Sequence, residues 1–290
     1  MKIGVSSYSF AALAREGKMN LSDIIKEAKK MGFDGIEFAD NVPFGGDPLI
    51  HAAQLKYECA AAGLDVVNYT IGADLLNGYA GGSPEDEVAR IKKQVDIAAA
   101  LGAPGMRHDA TWGVSNNLRQ WRSFDMYLPK LAEGIRAVAE YASTKGIRTM
   151  VENHGYFAQD SDRMERLVTT VAHPNFGLLC DMGNFMCADE DPVLAVSRIA
   201  PYVFHAHAKD FHLKSGNQPH PGDGFFPTRA GNHLRGAIVG HGEVPVQQCL
   251  RILKNNGYNG YVSIEFEGIE DPLVGISIGL KNLRNYINTL

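Results

Sequence analysis

Four side chains of metal-ligand type are spread along the second half of the sequence, each at or near the end of a short apolar run. Glu152 and Asp181 close two such runs, while His207 and Glu265 alternate with small or apolar neighbours in two later ones. Three carboxylates and one imidazole form a hard, mostly oxygen ligand set, which favours Mn²⁺ and also suits Co²⁺, Mg²⁺ or Zn²⁺. The pattern therefore predicts one divalent cation held by these four residues.

The electrostatics of such a group support the same interpretation. Carboxylates that are brought together without a cation raise one another's pKa values and destabilise the fold, and a bound cation removes that penalty. His205 shares a strand face with His207. It lies one layer deeper, so we expect a structural role for His205 and do not count it as a ligand.

A regular alternation of strands and helices must position these residues. Short runs rich in Val, Ile, Tyr and Phe predict eight strands, at about 3–9, 35–39, 64–70, 103–108, 147–152, 176–181, 202–208 and 261–267. Helical periodicity between them predicts helices at 21–31, 48–62, 84–102, 128–142, 160–172, 191–199, 245–256 and 273–289. Repeated βα units of this kind build a parallel sheet.

A closed (β/α)₈ TIM barrel is preferred to an open doubly wound sheet, because no glycine-rich phosphate fingerprint follows the first strand. Catalytic groups of such barrels lie at the carboxyl ends of the strands, where all four candidate ligands fall. We predict one domain over residues 1–290. A long loop at about 210–243, between strand seven and its helix, is rich in Gly, Pro and His and is typical of a functional loop.

Composition narrows the partners. The chain of 290 residues is 45% hydrophobic and carries a net charge of −5, so it lacks the positive field that binding to nucleic acid requires. No apolar run approaches the roughly 20 residues of a membrane span, and the amino terminus does not resemble a signal peptide. The four cysteines show no CxxC pairing. We expect a cytoplasmic protein with reduced thiols and a small-molecule substrate; a homo-oligomer remains open.

Several motifs around the candidate ligands resemble the sugar phosphate isomerase/epimerase family. This family consists of xylose-isomerase-like barrels and also includes endonuclease-IV-type DNA repair enzymes. The resemblance covers essentially the whole chain. Its most specific segments are Val151-Glu152-Asn153, Cys180-Asp181-Met182-Gly183-Asn184, His207-Ala208-Lys209-Asp210, and the stretches 239–244 and 257–266.

The resemblance implies a metal-dependent isomerase or epimerase of a keto-sugar or sugar derivative. In such a reaction a cation polarises the carbonyl and stabilises an enediolate, while two carboxylates pass a proton between the faces of the substrate. By resemblance, Glu152 and Glu265 are the catalytic acid/base pair as well as ligands. Asp181 and His207 are then mainly ligands.

Three departures from the ketohexose 3-epimerases of this family bear on the substrate. Those enzymes have glutamate, histidine and arginine where this chain has Ala158, Asn184 and Leu213, which argues against a free ketohexose and leaves phosphorylated or modified sugars open. The family also contains keto-inositol dehydratases, so a metal-dependent dehydratase or lyase is the alternative. An endonuclease-IV-type enzyme is a remote alternative, because its three-metal cluster needs more histidines. A non-catalytic sugar-binding barrel is a fourth.

Six further residues are predicted to contact the substrate, since each lies near the carboxyl end of a strand or in the long loop. They are Glu37, His108, His154, Lys209, Arg229 and Arg235. Lys209 follows His207 on the same inward face, where its ammonium can bind a substrate oxygen or phosphate. Aromatic residues on the early βα loops are candidates for the pocket wall: Tyr8, Phe10, Phe44, Tyr69 and Trp112.

Overall fold

A computed structural model describes residues 1–114 and 122–290. Eight parallel strands close a barrel in which neighbours follow chain order and the last strand pairs with the first. The strands of the barrel are β1 Lys2–Ser6, β2 Gly35–Ala39, β3 Asp65–Ile71, β4 Gly105–His108, β5 Arg148–Glu152, β6 Phe176–Asp181, β7 Val203–Ala208 and β11 Tyr261–Ile264. The predicted (β/α)₈ TIM barrel is confirmed.

Helices surround the barrel with their apolar stripes turned inward. They are α1 Ala11–Arg15, α2 Leu21–Met31, α3 Pro48–Ala62, α4 Pro84–Leu101, α5 Phe124–Ser143, α6 Ser161–Val171, α7 Pro192–Ile199, α8 Val246–Asn255 and α9 Pro272–Asn288. Ser83 caps α4 as its sequence suggests, with its side chain accepting a hydrogen bond from the Asp86 amide. Among the described residues, no helix is both long and apolar enough to cross a membrane.

The register of the strands brings the candidate ligands to one level of the barrel. Glu152 and Asp181 are the last residues of β5 and β6, and Asp181 pairs with His207. The predicted eighth strand is too long by three residues, because β11 ends at Ile264. Glu265 still continues the ladder by one hydrogen bond, from its amide to the Ala208 carbonyl at 3.2 Å.

The segment predicted as a long loop at 210–243 contains a small sheet of its own. Strands β8 Asp210–Lys214, β9 Phe226–Pro227 and β10 His233–Ala237 form an antiparallel sheet in the order β8-β10-β9. Asp210 anchors the return of the chain, because its carboxylate accepts hydrogen bonds from the amides of Gly240, Gly242 and Val244 at 2.9, 2.9 and 3.0 Å. A Cβ at Gly242 would collide with that carboxylate.

Candidate metal centre and active site

Glu152, Asp181, His207 and Glu265 meet at the carboxyl end of the barrel, and we call them the ligand cluster. One donor atom from each lies within 4.8 Å of the donor atoms of the other three. All four residues are buried, with Glu265 the most exposed at 9%. Residues from four different strand ends thus converge on one small volume, as an ion-binding site requires.

The bonding state of these atoms tests whether a cation fits. Asp181 Oδ2 and His207 Nδ1 are buried and have no hydrogen-bond partner. His207 Nδ1 lies 3.7 Å from both Asp181 Oδ2 and Glu265 Oε2. A buried polar atom without a hydrogen bond costs about 1–3 kcal/mol of stability. Asp181 Oδ2 and His207 Nδ1 are two such atoms side by side, and a further partner would satisfy both. These residues fit a single divalent cation.

The second oxygen of Asp181 is already committed to the backbone. Asp181 Oδ1 accepts hydrogen bonds from the amides of Gly183 and Asn184 at 2.8 and 3.0 Å. Asn153 donates to the Asp181 carbonyl and accepts from the Asp181 amide, both at 2.9 Å. Burial raises the pKa of Asp181, but the Lys209 ammonium and His207 outweigh it and hold the pKa below its usual value. Asp181 is therefore a fixed anion whose other oxygen, Oδ2, has no hydrogen bond and lies 3.3 Å from the Lys209 ammonium.

A second group of ligand-type residues lies directly beneath, and we call Glu37, His205 and Ser263 the buried layer. Glu37 Oε1 binds His207 Nε2 at 2.9 Å, and Glu37 Oε2 lies 3.2 Å from His205 Nε2. His205 Nε2 also bonds to Ser263 Oγ at 3.0 Å. Because His207 Nε2 is engaged below, its Nδ1 is left to face the ligand cluster.

Glu37 does not lie where the sequence placed it. We predicted a substrate contact, but the Glu37 side chain is fully buried. It does not line the cavity that adjoins the ligand cluster, which is described below. Burial raises the pKa of Glu37, yet the charge of His207 and hydrogen bonds from His205 and His207 hold it well below its usual value. Glu37 is thus an anion that orients His207 from below.

Two cavity residues on and after β4 were missed by the sequence reading. Arg107 Nε lies 2.6 Å from Glu152 Oε2, and Arg107 Nη2 lies 2.8 Å from Asp109 Oδ1. Arg107 Nη1 donates to the Ile71 carbonyl at 3.0 Å. Burial lowers the pKa of Arg107, but the surrounding acids outweigh it and raise the pKa above its usual value. The guanidinium therefore bridges two buried carboxylates and fixes Glu152 from the side.

His108 was predicted to contact the substrate, but its side chain points away from this bridge. The strand alternation that puts Arg107 and Asp109 on the inner face puts His108 on the outer face. Its Nδ1 bonds to the Asp109 carbonyl at 2.8 Å, and its side chain does not line the cavity. Burial lowers the pKa of His108 to about 4, so the imidazole is neutral. Alternation alone could have chosen Arg107 over His108.

Lys209 lies among the carboxylates of the ligand cluster. Its Nζ is 2.6 Å from Glu265 Oε2, 3.3 Å from Asp181 Oδ2 and 3.5 Å from Glu267 Oε2. Burial lowers the pKa of Lys209, but the charges of these acids raise it well above the usual value, so the group is an ammonium. Glu267 shares the inward alternation of Glu265, which is the sequence signal that could have identified it.

His154 and Asp109 form a histidine–carboxylate pair on the cavity wall. His154 Nδ1 lies 2.9 Å from Asp109 Oδ1, and the His154 ring packs edge-on against Trp112 at 4.9 Å between centroids. Burial lowers the pKa of His154, but the charge and hydrogen bond of Asp109 raise it above the usual value. The sequence named His154 as a substrate contact, and the structure places it on the cavity wall.

Arg229 and Arg235 do not reach the cavity, contrary to their predicted substrate contacts. Arg229 Nη1 lies 2.8 Å from Asp160 Oδ2, and Arg235 Nη2 lies 3.3 Å from Glu270 Oε1. Each arginine ties the segment after β7 to the loop of another strand. Both guanidinium groups are engaged in these ion pairs. The sequence alone does not show which acids pair with them.

A cavity of about 210 Å³ adjoins the ligand cluster. Glu152, Glu265, Lys209 and His154 line it together, and Tyr8 and Trp112 form aromatic walls. Phe10 and Tyr69, two further wall candidates from the sequence, are buried in the core instead. Phe44 packs on Tyr69 at 5.8 Å between ring centroids.

Comparison with known proteins identifies the family. The family model described as xylose isomerase-like TIM barrel matches residues 25–286. The chain belongs to this family. The inosose dehydratase of Lacticaseibacillus casei is 24% identical to this chain over 144 residues, which is 49% of this chain and 47% of that enzyme. The chain thus spans about half the length of the curated relatives it matches.

Solved structures share the fold. An L-ribulose 3-epimerase superposes with a TM-score of 0.74 at 15% identity, covering 99% of this chain and 95% of that one. A xylose isomerase-like TIM barrel protein from Mycobacterium smegmatis, in complex with magnesium, superposes with a TM-score of 0.73 at 17% identity, covering 99% and 97%. At these identities the likeness establishes the barrel and its topology.

Proposed function

We propose that this protein is a divalent-metal-dependent isomerase or epimerase that removes a proton next to the carbonyl of a keto-sugar or sugar derivative. The observation that carries this proposal is the pair Glu152 and Glu265. Each has an oxygen within 4.8 Å of the other donor atoms of the ligand cluster, and both line the same 210 Å³ cavity. Family relatives named for epimerisation and dehydration of sugar-like compounds support this class of substrate.

The two glutamates differ in what holds them. Glu152 is fixed by Arg107 at 2.6 Å and by the side-chain amide of Asn184, which donates to Glu152 Oε1 at 2.8 Å. Glu265 is held by Lys209 at 2.6 Å. One carboxylate can therefore take a proton from the substrate carbon and the other can return it to the opposite face. When bound, a divalent cation polarises the substrate carbonyl and stabilises the charge that proton removal creates.

Charged donors around the cavity suit an electron-rich intermediate. Arg107 and Lys209 both line the cavity and both carry fixed positive charge. Burial raises the pKa of Glu152, and the charge of Glu265 raises it further against the opposing charge of Arg107.

Solvent-deuterium exchange tests the proposal directly. We expect the Mn²⁺-loaded protein to exchange a carbon-bound proton in at least one member of a panel of ketoses, ketose phosphates and oxidised glycosides. Glu152→Gln and Glu265→Gln should each reduce exchange by at least about 10²-fold, because an amide cannot transfer the proton. Glu140→Gln, on the exposed surface of α5, is the matched control. Exchange that survives both cavity substitutions would contradict the proposal.

The His154–Asp109 pair favours a second candidate, a dehydratase. Elimination needs an acid to protonate the departing hydroxyl in addition to a base for the carbon proton. His154 supplies such a group on the wall of the same cavity. A dehydrated product that absorbs as an enone, and that is lost in His154→Gln while proton exchange remains, would support elimination. Epimerised product without any enone would exclude it.

A further inference from the structure

A second cavity lies beside the candidate active site on the other side of Tyr8. It has a volume of about 270 Å³ and shares Tyr8, Asn41 and Glu267 with the first cavity. Its remaining wall includes Ala12, Arg15 and Phe266. Three shared residues mean that the two cavities adjoin along one wall, with the Tyr8 side chain between them.

The sizes of the two cavities bear on the substrate. At roughly 30 Å³ per water, the 210 Å³ of the first cavity corresponds to about seven waters, the scale of a single sugar ring. That volume is below the roughly 300 Å³ at which the usual range of small-molecule sites begins. The adjoining cavity brings the combined space into that range. The site as a whole therefore has room for more than one ring.

We propose that the second cavity binds a neutral, hydroxyl-bearing unit that is attached to the reacting keto-sugar, so that the substrate is a glycoside. The inference deepens the function proposed above and rests on it. The reacting ring then occupies the ligand-cluster side of Tyr8, and the attached sugar unit occupies the Arg15 side.

The chemistry of the second cavity fits such a unit. Tyr8 is 36% exposed, and Phe266 and Ala11 add buried apolar surface, so an aromatic and apolar wall is available to the carbon face of a sugar. Asn41, Arg15 and Glu267 on the same wall can donate to or accept from hydroxyl groups. The charges of Arg15 and Glu267 are opposite, which favours a neutral polyol over a phosphate.

The second cavity is also held in shape by the backbone. Ser9 Oγ donates to the Ile264 carbonyl at 3.2 Å and accepts from the Phe266 amide at 2.9 Å. This pair of bonds ties the turn that carries Tyr8 to the end of β11, which carries Glu265 and Glu267. The two walls therefore keep a fixed separation, and a preformed site loses less entropy when the ligand binds.

Calorimetric binding to the Mn²⁺-loaded protein tests the inference. The probes are matched sets: 3-ketoglucose with the 3-keto derivatives of cellobiose and trehalose, and fructose with leucrose, in which the fructose unit keeps its free keto form. We expect at least one disaccharide to bind about ten-fold or more tightly than its monosaccharide. Ala12→Phe, which fills the second cavity, should remove that gain. Arg15→Gln should reduce it several-fold, and Arg251→Gln, an exposed arginine on α8, is the control.

The outcomes separate this inference from the proposed function. Equal binding within every set, no binding by any probe, or a gain that persists in both Ala12→Phe and Arg15→Gln overturns the inference. Proton exchange with a monosaccharide and no gain from the disaccharide leaves the proposed function standing alone. A disaccharide gain that both substitutions remove, without any proton exchange, supports the second site and contradicts the isomerase or epimerase.

Discussion

The ligand cluster and the buried layer both contain glutamate and histidine and meet at His207, yet their polar atoms have different hydrogen-bond and ion-pair partners. In the buried layer, both Glu37 oxygens have partners, on His207, His205 and Asn68. In the ligand cluster, His207 Nδ1 has no hydrogen-bond partner, and Asp181 Oδ2 has no hydrogen bond and lies 3.3 Å from the Lys209 ammonium. Residue type therefore does not separate a reactive group from a supporting one. Access to the cavity does, because Glu152 and Glu265 line it and the fully buried Glu37 does not.

The contrast also concerns charge. The ligand cluster brings two glutamates and Asp181 together under a cavity, and Arg107 and Lys209 lie against them. In the buried layer a single carboxylate is shared between two imidazoles. The carboxylates of the ligand cluster are thus held by cationic side chains, while Glu37 is held by its imidazole partners.

The largest effect is expected when Arg107 is replaced by Met. The substitution leaves Glu152 and Asp109 buried without their shared cation, and breaking a buried pair in this way costs about 3–5 kcal/mol. Urea denaturation of the metal-free protein measures the free energy of unfolding. Arg107→Lys keeps the charge and should lose less. A stability of Arg107→Met within about 1 kcal/mol of the parent would show that the ligand cluster does not depend on this charge.

Removal of Glu37 tests whether the buried layer acts on the ligand cluster. Without this acceptor on Nε2, His207 is no longer held with Nδ1 facing the cluster, and we expect Mn²⁺ affinity to fall about 10–100-fold in Glu37→Ala. Glu37→Gln retains an acceptor oxygen and should recover most of the affinity. Calorimetric titration measures both. Unchanged affinity in folded Glu37→Ala would reduce the buried layer to core packing.

His108 gives a smaller, pH-dependent effect. Its folded pKa of about 4 lies below the unfolded value of about 6.5, so the unfolded chain binds more protons between these pH values. Its contribution to stability is present near pH 7 and is lost as the pH falls through this window, by at most about 1.4 kcal/mol per pH unit. His108→Gln should flatten the loss measured between pH 7 and pH 5. An unchanged slope would contradict the neutral, buried state.

The smallest effect is expected at Arg235, which pairs with Glu270 away from the cavity. Arg235→Gln should leave turnover within about two-fold of the parent and unfolding free energy within about 1 kcal/mol, as for other partly exposed ion pairs. Steady-state kinetics on any substrate identified by exchange, with Arg251→Gln as the reference, makes the comparison. A ten-fold loss of turnover would restore Arg235 as a substrate contact.

The sequence predicts the barrel and the meeting of its four candidate ligands for a physical reason. Alternation with period two fixes which side chains face inward, and the length of one βα unit fixes which end of the barrel they reach. Glu152, Asp181 and His207 follow that rule and converge in the structure. Their role as cation ligands stays a prediction until metal binding is measured.

The same rule shows why other positions were misjudged. His108 was chosen because it ends β4, although alternation places Arg107 and Asp109 inward. Arg229 and Arg235 were chosen because they interrupt a flexible stretch, but the partners that hold them come from distant loops. The sheet of β8, β9 and β10 was missed because its short strands pair with one another and lie outside the barrel sheet. A local sequence pattern does not predict contacts between distant segments of the chain.

The number of cations bound per chain tests the central claim most directly. Mn²⁺ titrated into chelator-treated protein, with bound metal counted by elemental analysis after gel filtration, should give one ion per chain. Asp181→Asn should bind substantially less, because a neutral amide replaces one of the carboxylates of the ligand cluster. About three ions per chain would favour the endonuclease-IV-type alternative. No bound ion in the parent, or equal binding by Asp181→Asn, would contradict the ligand cluster as a metal centre.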